Sequence, residues 1–461
     1  MKGLPHIGLA GFLAAASFIL LAGRVYGADR YAAQNGQTPA GLYATWETAA
    51  SNIQDAVNVA DANDTVWVGA GRYTLPPNTT NYWGSNVVYI NRPLSLKTSN
   101  GVPETTIIDG QGKHRGITWY YAAASTSLFL LEGFTITNCR ATNMGGGIFF
   151  APSPANYALT AAVVNCVISD NIASSSQTNL QAIGGGIYTF SYGGFGLTLS
   201  NCVIRNNIAT NVTTGQVSYA GGICLYSSGK KHITGCLVEN NRSMAYGGGL
   251  YAVSSDLLIE NSIFRGNRNE NWDYNYGGGA MYLTAGNATL RNCLIYNNYC
   301  NYGAGIYKFA SAYLPPEQYS LLDIQNCTIA CNTNFGIYER RADNLNVGNS
   351  ILYTNTIASV YVASGPIVFF ATNSWIYYNS VTGGNFFNGV GNITNGLDPC
   401  FQNPAGGNYR FTKDSPCYNS GTNRDWMAGA ADLDWLKRIR HGSVDMGAYE
   451  LLQEATVYRF R

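Results

Sequence analysis

The stretch GGGIYTFSYGGFGLTLSNCVIRNN, residues 184–207, contains a glycine triplet, an alternating apolar run, an Asn–Cys pair and a final Asn. Similar segments return along most of the chain. Aligned on the residue before each Cys or Ser, they repeat every 23 to 36 residues, at Asn138, Asn165, Asn201, Gly235, Asn261, Asn292, Asn326, Asn349 and Asn373. A repeat of this length with loops of variable size predicts one turn of a solenoid per unit.

Each unit predicts three short strands. Apolar residues stand two positions before the corner Asn and two positions after the Cys or Ser, which is the alternation of half-buried strands. A third strand follows the glycines, with these residues predicted to point inward: Ile148, Ile187, Ile223, Leu250, Ala280, Ile306 and Ile337. The pattern therefore predicts an all-β fold, a parallel β-helix of about ten to twelve three-stranded coils.

Two files of polar side chains are predicted at the corners. The first is a structural ladder of Asn165, Asn201, Asn261, Asn292 and Asn326, followed by Cys166, Cys202, Cys236, Cys293 and Cys327. Asparagine suits a corner because it tolerates left-handed backbone and can bond to its own copy in the next coil. The second file stands five residues after each Cys or Ser: Asn171, Asn207, Asn241, Asn267, Asn298, Asn332, Asn355 and Asn379.

Most of the eleven cysteines are predicted to be free. Serine replaces cysteine at three corners, Ser262, Ser350 and Ser374, and a bridged cysteine would lose its partner on such a replacement. Cys400 and Cys417, each beside a proline in the C-terminal region, are the disulfide candidate, and Cys300 with Cys331 is an alternative pair.

Outward charges provide a check on the stacking. Successive coils carry Arg205, Glu239 and Arg265 at one outward position, and Glu260 and Arg291 at another. Opposite charges on neighbouring strands are favourable, whereas like charges repel. The alternation of sign therefore predicts parallel strands stacked in register.

Composition excludes some functional classes. The 27 basic and 26 acidic side chains balance, so a nucleic acid is not an expected partner. Lys2 precedes an apolar stretch over residues 9–23, which predicts a signal peptide at residues 1–27 and a secreted or cell-surface protein. An N-terminal membrane anchor is the alternative, and no later stretch is apolar and long enough to span a membrane.

The repeat resembles the right-handed parallel β-helices of the pectate-lyase-like superfamily, especially the passenger repeats of polymorphic outer-membrane proteins. This resemblance implies a right-handed β-helix at residues 66–397. Before it, TAASNIQDAVNVA has one apolar helical face and resembles the helix that caps such solenoids, which implies an N-terminal cap at residues 28–65. After it, residues 398–461, with DPCFQNPAGGNYRF and DMGAYE, resemble the choice-of-anchor module of secreted bacterial β-helix proteins.

No catalytic constellation is recognisable in the sequence, and neither a cofactor nor a metal site is expected. Acidic residues are sparse along the repeats, and the polar clusters are confined to Asp109, Lys113, His114 and Arg115, and to Lys308, Glu339 and Arg340. For both clusters we expect an ordinary polar loop or strand end rather than a catalytic role.

The predicted ligand-binding feature is an aromatic row on the outer face of the glycine-following strand: Phe149, Tyr188, Tyr251, Tyr307 and Tyr338, interrupted by Cys224 and Met281. Exposed rings in register could stack on sugars or anchor a protein. Loops covering the row, or aromatic stacking that stabilises the sheet, are the alternatives. The sequence thus favours a non-catalytic adhesion or binding module for an extracellular polysaccharide or surface protein, over a polysaccharide lyase or glycoside hydrolase; a structural fibre or coat subunit is a third hypothesis.

Overall fold

The structure is a computed structural model. It describes residues 27–76, 80–81, 84–121, 128–152, 159–177, 180–191, 193–211, 217–253, 256–271, 273, 275–309, 320–340, 344–363, 368–376, 381–382 and 385–451. The predicted signal peptide, apart from residue 27, and Asn379 lie outside these residues.

Three long, predominantly parallel sheets form the body, counted over the described residues. Sheet 1 has thirteen strands: Asp29–Ala32, Thr65–Val68, Ser95–Thr98, Leu128–Glu132, Thr160–Val164, Gly196–Ser200, Lys230–Thr234, Asp256–Glu260, Ala288–Arg291, Leu321–Gln325, Asn344–Gly348, Val368–Thr372 and Asn385–Asn388. Sheet 2 has eleven: Gly71–Tyr73, Thr106–Asp109, Thr135–Thr137, Val167–Ser169, Val203–Arg205, Leu237–Glu239, Ile263–Arg265, Leu294–Tyr296, Thr328–Ala330, Ile351–Tyr353 and Trp375–Ile376. Sheet 3 has twelve: Thr80–Asn81, Gly84–Ile90, Arg115–Tyr121, Ile148–Pro152, Ile187–Phe190, Ile223–Tyr226, Leu250–Val253, Met281–Thr284, Ile306–Phe309, Phe335–Arg340, Ala358–Val362 and Val381–Thr382.

Shorter elements complete the described structure. A five-stranded parallel sheet follows sheet 2 in the middle coils: Arg140–Ala141, Ile172–Ser175, Ile208–Asn211, Arg242–Ser243 and Arg268–Asn269. Two further pairs are Ala182–Ile183 with Ser218–Tyr219, and Phe401–Asn403 with Asn408–Phe411. The helices are the α-helix Ile53–Val59 and the 3-10 turns Pro103–Thr105, Pro404–Gly406 and Asp425–Met427.

The β-helix prediction is confirmed. Each coil runs from sheet 1 through a two-residue corner to sheet 2 and then to sheet 3, before returning one strand further along sheet 1. The apolar residues predicted on both sides of the corner point into a continuous core that follows the length of the helix. The register also matches the charge pattern, because Glu239 pairs with Arg205 and Arg265, and Glu260 pairs with Arg291.

The first corner Asn adopts the predicted left-handed backbone. Its φ lies between 47° and 53° at Asn165, Asn201, Asn261, Asn292, Asn326, Asn349 and Asn373, and Gly235 takes the same place at 62°. The alignment of Asn138 with this corner is wrong: its strand Thr135–Thr137 belongs to sheet 2 and pairs with Val167–Ser169, so Cys139 lies beside Asn171 of the second file. The side chains do not form one unbroken ladder: Asn292 donates to Asn261 at 3.1 Å and Asn349 to Asn326 at 3.3 Å, while other copies bond elsewhere. The first corner therefore selects Asn mainly for its backbone conformation.

The second Asn file forms the continuous ladder inside the fold. From Asn171 to Asn355 the side chains are buried, and from Asn207 onward each Oδ1 accepts hydrogen bonds from the preceding Asn in the file. Asn171 Oδ1 accepts instead from the backbone N–H of Cys139 at 3.0 Å. Asn267, for example, accepts from the backbone N–H and Nδ2 of Asn241 at 3.1 and 3.0 Å. The ladder satisfies backbone groups at a buried turn, where water cannot reach them.

The corner cysteines are buried free thiols, as predicted. Cys202 Sγ contacts the carbonyl two residues earlier at 3.3 Å, and Ser262 Oγ donates to the equivalent carbonyl at 2.7 Å. Both side chains are small and make the same local contact, which explains their exchange along the repeat.

The predicted disulfide between Cys400 and Cys417 is absent, and all eleven cysteines are free thiols. Cys400 has a left-handed backbone, with φ 56°, and its Sγ lies 3.3 Å from the carbonyl of Asp398. Cys417 is instead buried in an apolar cluster that includes Trp375 and Met446. Each sulfur is thus accommodated by its own surroundings.

The helix Ile53–Val59 packs on the first coil of the β-helix. The Asn52 side chain caps it by accepting from the N–H of Asp55 at 2.9 Å. Its apolar face, including Ile53 and Val57, joins the first part of the core. This is the position that the resemblance implies for a capping helix. Among the described residues, no helix is both long and apolar enough to cross a membrane.

Residues 398–451, called the tail here, fold back along the outside of sheet 2. Tyr409 and Tyr449 pack on Tyr296 and Leu294, and Phe411 and Met446 pack near Ile351. The corner asparagines bind the tail backbone: Asn292 donates to Ala431, Asn326 to Asp445 and Asn349 to Thr422, at 2.7, 3.0 and 2.9 Å. The tail is therefore bonded to several successive coils.

Candidate functional site

The predicted aromatic row lies on the outer face of sheet 3, but it is buried. Phe149, Tyr188, Tyr251, Tyr307 and Tyr338 all occupy the outward position, and none exposes more than 7% of its surface. The expectation that the row faces solvent is wrong. Ligand binding by these rings, which depended on their exposure, has no support from this geometry.

The register of the row also differs from the prediction at one coil. Met281 pairs with Leu250 and Ile306 and joins the core, whereas Tyr282 pairs with Tyr251 and Tyr307 and continues the row. Ala280, predicted to be the inward strand residue, occupies the place of a third glycine just before the strand. The row therefore continues without a break from Tyr251 through Tyr282.

Further tyrosines cover the row. Tyr219 and Tyr246 stack on each other with ring centroids 4.7 Å apart, and they contact Tyr251 and Tyr282 edge-on at 5.0 and 4.9 Å. Burial raises the pKa of Tyr307 to about 12. The row and its cover form a second apolar core outside the coils, which stabilises sheet 3 rather than offering a platform.

The first polar cluster, formed by Asp109, Lys113, His114 and Arg115, does not come together as one site. Asp109 forms an ion pair with Arg72 at 2.7 Å, and His114 bonds to a serine hydroxyl at 2.8 Å. Arg115 is buried and donates to backbone carbonyls of the glycine-rich segment, while Lys113 is exposed. Burial lowers the pKa of His114 and lowers that of Arg115 to about 10. Asp109, His114 and Arg115 thus each have a local structural partner, and Lys113 faces solvent.

The second polar cluster is divided between the inside and outside of sheet 3. Lys308 and Glu339 are neighbours in register and fully buried, and Lys308 Nζ donates to Ser320 Oγ at 2.7 Å. Arg340 points outward and donates to Asn275 at 2.8 Å. Two buried residues facing the inside of a coil cannot meet a polymeric ligand, so we assign them a structural role.

A groove of about 530 Å³ lies where the tail meets the outer face of sheet 1. We call it the tail groove and define it by Arg291, Asp323, Gln325, Phe370, Arg424 and Trp426. The first four belong to sheet 1, and the last two belong to the tail. Phe370 is 44% exposed, so the groove presents the free aromatic surface that the sheet 3 row lacks.

Several polar atoms in the tail groove lack partners. Among the described residues, the indole N–H of Trp426, Oε1 of Gln325 and Nε of Arg291 make no hydrogen bond. The Arg291 guanidinium lies 5.1 Å from the Trp426 ring and 3.3 Å from Glu260, and Gln325 donates to Asp323 at 2.8 Å. Buried polar groups are normally bonded, so these atoms are unsatisfied polar atoms in the walls of the groove.

Sequence reasoning missed the tail groove for a physical reason. Arg291 and Gln325 were recognisable as outward residues of the repeat, but Trp426 lies in the tail, which has no period. Its position depends on how the tail folds back over the coils. An exposed aromatic residue such as Phe370 on an outward strand position was the available indication.

A buried charged cluster holds the tail together. Arg438 is fully buried, and its Nη2 lies 3.3 Å from Glu450 and donates to the carbonyls of Asp445 and Gly447 at 3.2 and 2.9 Å. The carboxylates of Asp432 and Asp445 accept backbone N–H bonds nearby. Burial raises the pKa of Asp432, Asp445 and Glu450, the last to about 9.

The cluster predicts that the tail loosens as the pH rises. The folded state retains a proton on Glu450 that the unfolded chain releases near its ordinary pKa of 4.5. This contribution to stability is fully present below that value and is lost progressively towards pH 9. We expect proteolysis of the tail to accelerate over this range, measured with a protease whose own activity is corrected at each pH. The Glu450→Gln variant should show a flatter profile, and a tail that becomes more resistant at high pH would contradict the assignment.

No group of three or more His, Cys, Asp or Glu side chains in the described ranges is arranged to hold a metal ion. The tail groove is lined by aromatic, guanidinium, carboxylate and amide groups. These groups suit hydrogen bonding and stacking with a polar, ring-containing ligand.

Comparison with known proteins agrees with the fold. A family model described as "Right handed beta helix region" matches residues 115–314. The crystal structure of pectate lyase Pel9A superposes with a TM-score of 0.54 over 92% of this chain and 96% of its own, at 14% sequence identity. No curated protein shows significant sequence similarity. The chain therefore has the right-handed parallel β-helix fold found in that pectate lyase.

Proposed function

We propose that the protein is exported and binds an extracellular polysaccharide, with sugar rings held in the tail groove. The observation that carries the proposal is the exposed ring of Phe370 in the same groove as Trp426, Arg291 and Asp323. Export is supported by the N-terminal sequence, with a basic residue before an apolar stretch.

Stacking and hydrogen bonding support this ligand class. A sugar presents an apolar ring face and a rim of hydroxyl groups, which match an aromatic side chain and charged or amide groups respectively. The groove combines both kinds of group. One of its sides is formed by sheet 1 and the other by the tail. A long outer face of sheet 1 continues from it, so a polymer can extend beyond the groove.

Polysaccharide cleavage is a second candidate function at the same place. It is favoured by Asp323 and Arg291 in one groove, because a carboxylate and a guanidinium can act on a bound sugar as general acid or base and as a stabiliser of negative charge. Incubation with polygalacturonate, alginate and xylan would show unsaturated products or new reducing ends if the protein cleaves. Binding without any product would indicate that the protein binds the polysaccharide but does not cleave it.

The test of binding is the Phe370→Ala variant. We expect its dissociation constant for the bound polysaccharide to rise at least about tenfold, or ~1.4 kcal/mol, because the exposed ring contributes stacking area. Affinity electrophoresis or calorimetry with the same polysaccharides gives the measurement. Leu128→Ala is the matched control, since Leu128 is 47% exposed on the same sheet but lies outside the groove. Equal affinity of Phe370→Ala and wild type, or no binding of any polysaccharide, would refute the proposal.

A further inference from the structure

A second groove, of about 670 Å³, lies beside the first coils. We call it the N-terminal groove and define it by Asp29, Tyr31, Gln34, Asn35, Trp46 and Trp67. From this geometry we propose that the N-terminal groove binds a neutral saccharide. The site goes beyond the proposed function, because it shares no residue with the tail groove and has a different charge.

The aromatic wall of the N-terminal groove is held in place. Tyr31 and Trp46 contact each other edge-to-face with centroids 4.7 Å apart, and Tyr31 is fixed by backbone bonds to Tyr43 and Ala50. Trp67 donates from Nε1 to Asp29 Oδ1 at 3.0 Å. Yet 39% of the Trp46 side chain remains exposed. A fixed, partly exposed indole in a concave site has the geometry needed to stack on a sugar ring with little loss of side-chain entropy.

The polar groups of the groove suit hydroxyl groups. Asp29 uses one carboxylate oxygen for Trp67, and among the described residues none bonds to the other. Asn35 adds an exposed amide, while the Gln34 amide is oriented by its bonds to the Arg72 backbone. A carboxylate and planar amides bond well to neighbouring hydroxyls of a sugar.

The charge of the groove selects against acidic sugars. Asp29 is the one charged residue among those lining it, and the nearby Lys97 ammonium lies over the Trp67 ring at 5.3 Å and pairs with Glu132 at 2.9 Å. A uronate would therefore meet a like charge without a free cation to balance it. The tail groove differs, since its lining contains two arginines, Arg291 and Arg424, beside two aspartates, Asp323 and Asp425.

Both grooves open on the outer face of sheet 1. Trp67 lies on the second strand and Arg291 on the ninth, so seven strand spacings of ~4.8 Å place them roughly 30 Å apart. The two sites are thus separate, and each can be inactivated without touching the other.

The test uses neutral xylo- and cello-oligosaccharides, with oligogalacturonate as the acidic probe and tetramethylammonium as a cationic competitor. We expect the purified protein to bind a neutral probe in calorimetry and Trp46→Ala to weaken it at least about tenfold. Trp435→Ala is the matched control, because Trp435 is 73% exposed and lies in the tail. Phe370→Ala should retain binding of the neutral probe at the N-terminal groove and Trp46→Ala should retain binding at the tail groove, so failure of this site and failure of the tail groove are distinguishable.

Three results would overturn the inference: no binding of neutral probes, equal binding by Trp46→Ala, or tighter binding of oligogalacturonate or tetramethylammonium at this groove. Should Trp46→Ala fail to fold, as judged by circular dichroism, Trp46→Phe decides. A phenyl ring retains part of the stacking area, so binding should weaken only modestly, and complete loss in a folded Trp46→Phe protein would also count against the proposal.

Discussion

The Arg438→Met variant is expected to release the tail from the β-helix, at a cost of about 3 kcal/mol to tail docking, because three buried acceptors lose their donor at once. Arg438 is fully buried and is bonded to Glu450 and to the carbonyls of Asp445 and Gly447. Methionine would fill much of the volume but would leave these acceptors, and the neighbouring buried carboxyls, without a cation. Limited proteolysis and hydrogen exchange over residues 398–451 provide the measurement.

Lys437→Met is the matched control for this prediction. Lys437 precedes Arg438 in the chain and is exposed, so the same substitution should leave the proteolysis rate nearly unchanged. The coils themselves should stay protected in both variants, because their core and Asn ladder lie within the β-helix. Equal protection of the tail in Arg438→Met and wild type would show that the cluster does not hold it.

Release of the tail should also abolish ligand binding in the tail groove. Arg424 and Trp426 lie on the tail, whereas Arg291 and Phe370 lie on sheet 1, so the groove exists only while the tail is docked. The N-terminal groove has no tail residue and should keep its ligand. Comparing the two binding activities in Arg438→Met therefore separates loss of docking from general unfolding.

The strands of the coils could be predicted because the alternation of apolar residues is a local property of the sequence. Apolar alternation around each corner identified inward residues such as Val163 and Ile204, and left-handed corner Asn residues such as Asn165 were expected from turn chemistry. The same pattern failed at Ala280, because an alanine replaced a glycine and shifted the alignment by one residue. The glycine directly before the strand fixes the register, because Ile306 and Ile337, which each follow such a glycine, were placed correctly although the earlier glycines are replaced.

Burial of the outer row was not predictable from the repeat. Outward strand positions such as Tyr251 appear exposed in the pattern of a single coil, and their cover comes from Tyr219 and Tyr246, which precede the strands. The tail groove was unpredictable for the same reason, since Trp426 meets Arg291 only after the chain folds back. Contacts between aperiodic segments and coils have no counterpart in a repeat alignment.

The Asn267→Ala variant should destabilise the β-helix by about 3 kcal/mol, because several buried groups lose their partners at once. Asn267 accepts two hydrogen bonds from Asn241 and donates to the carbonyl of Val238 at 2.8 Å and to Asn298 at 3.0 Å. Chemical denaturation followed by circular dichroism measures the effect. Asn344→Ala is the control, since Asn344 is exposed at the start of a sheet 1 strand and should change stability by less than about 0.5 kcal/mol.

A double variant tests whether the ladder acts as a connected chain of bonds. Asn241 and Asn267 bond to each other, so changing both to alanine removes their shared bonds once rather than twice. The double variant should therefore cost less than the two single variants added together, by about 1 kcal/mol. Strict additivity would mean that each side chain contributes only its own volume and local bonds, and the ladder would then be a row of independent turns.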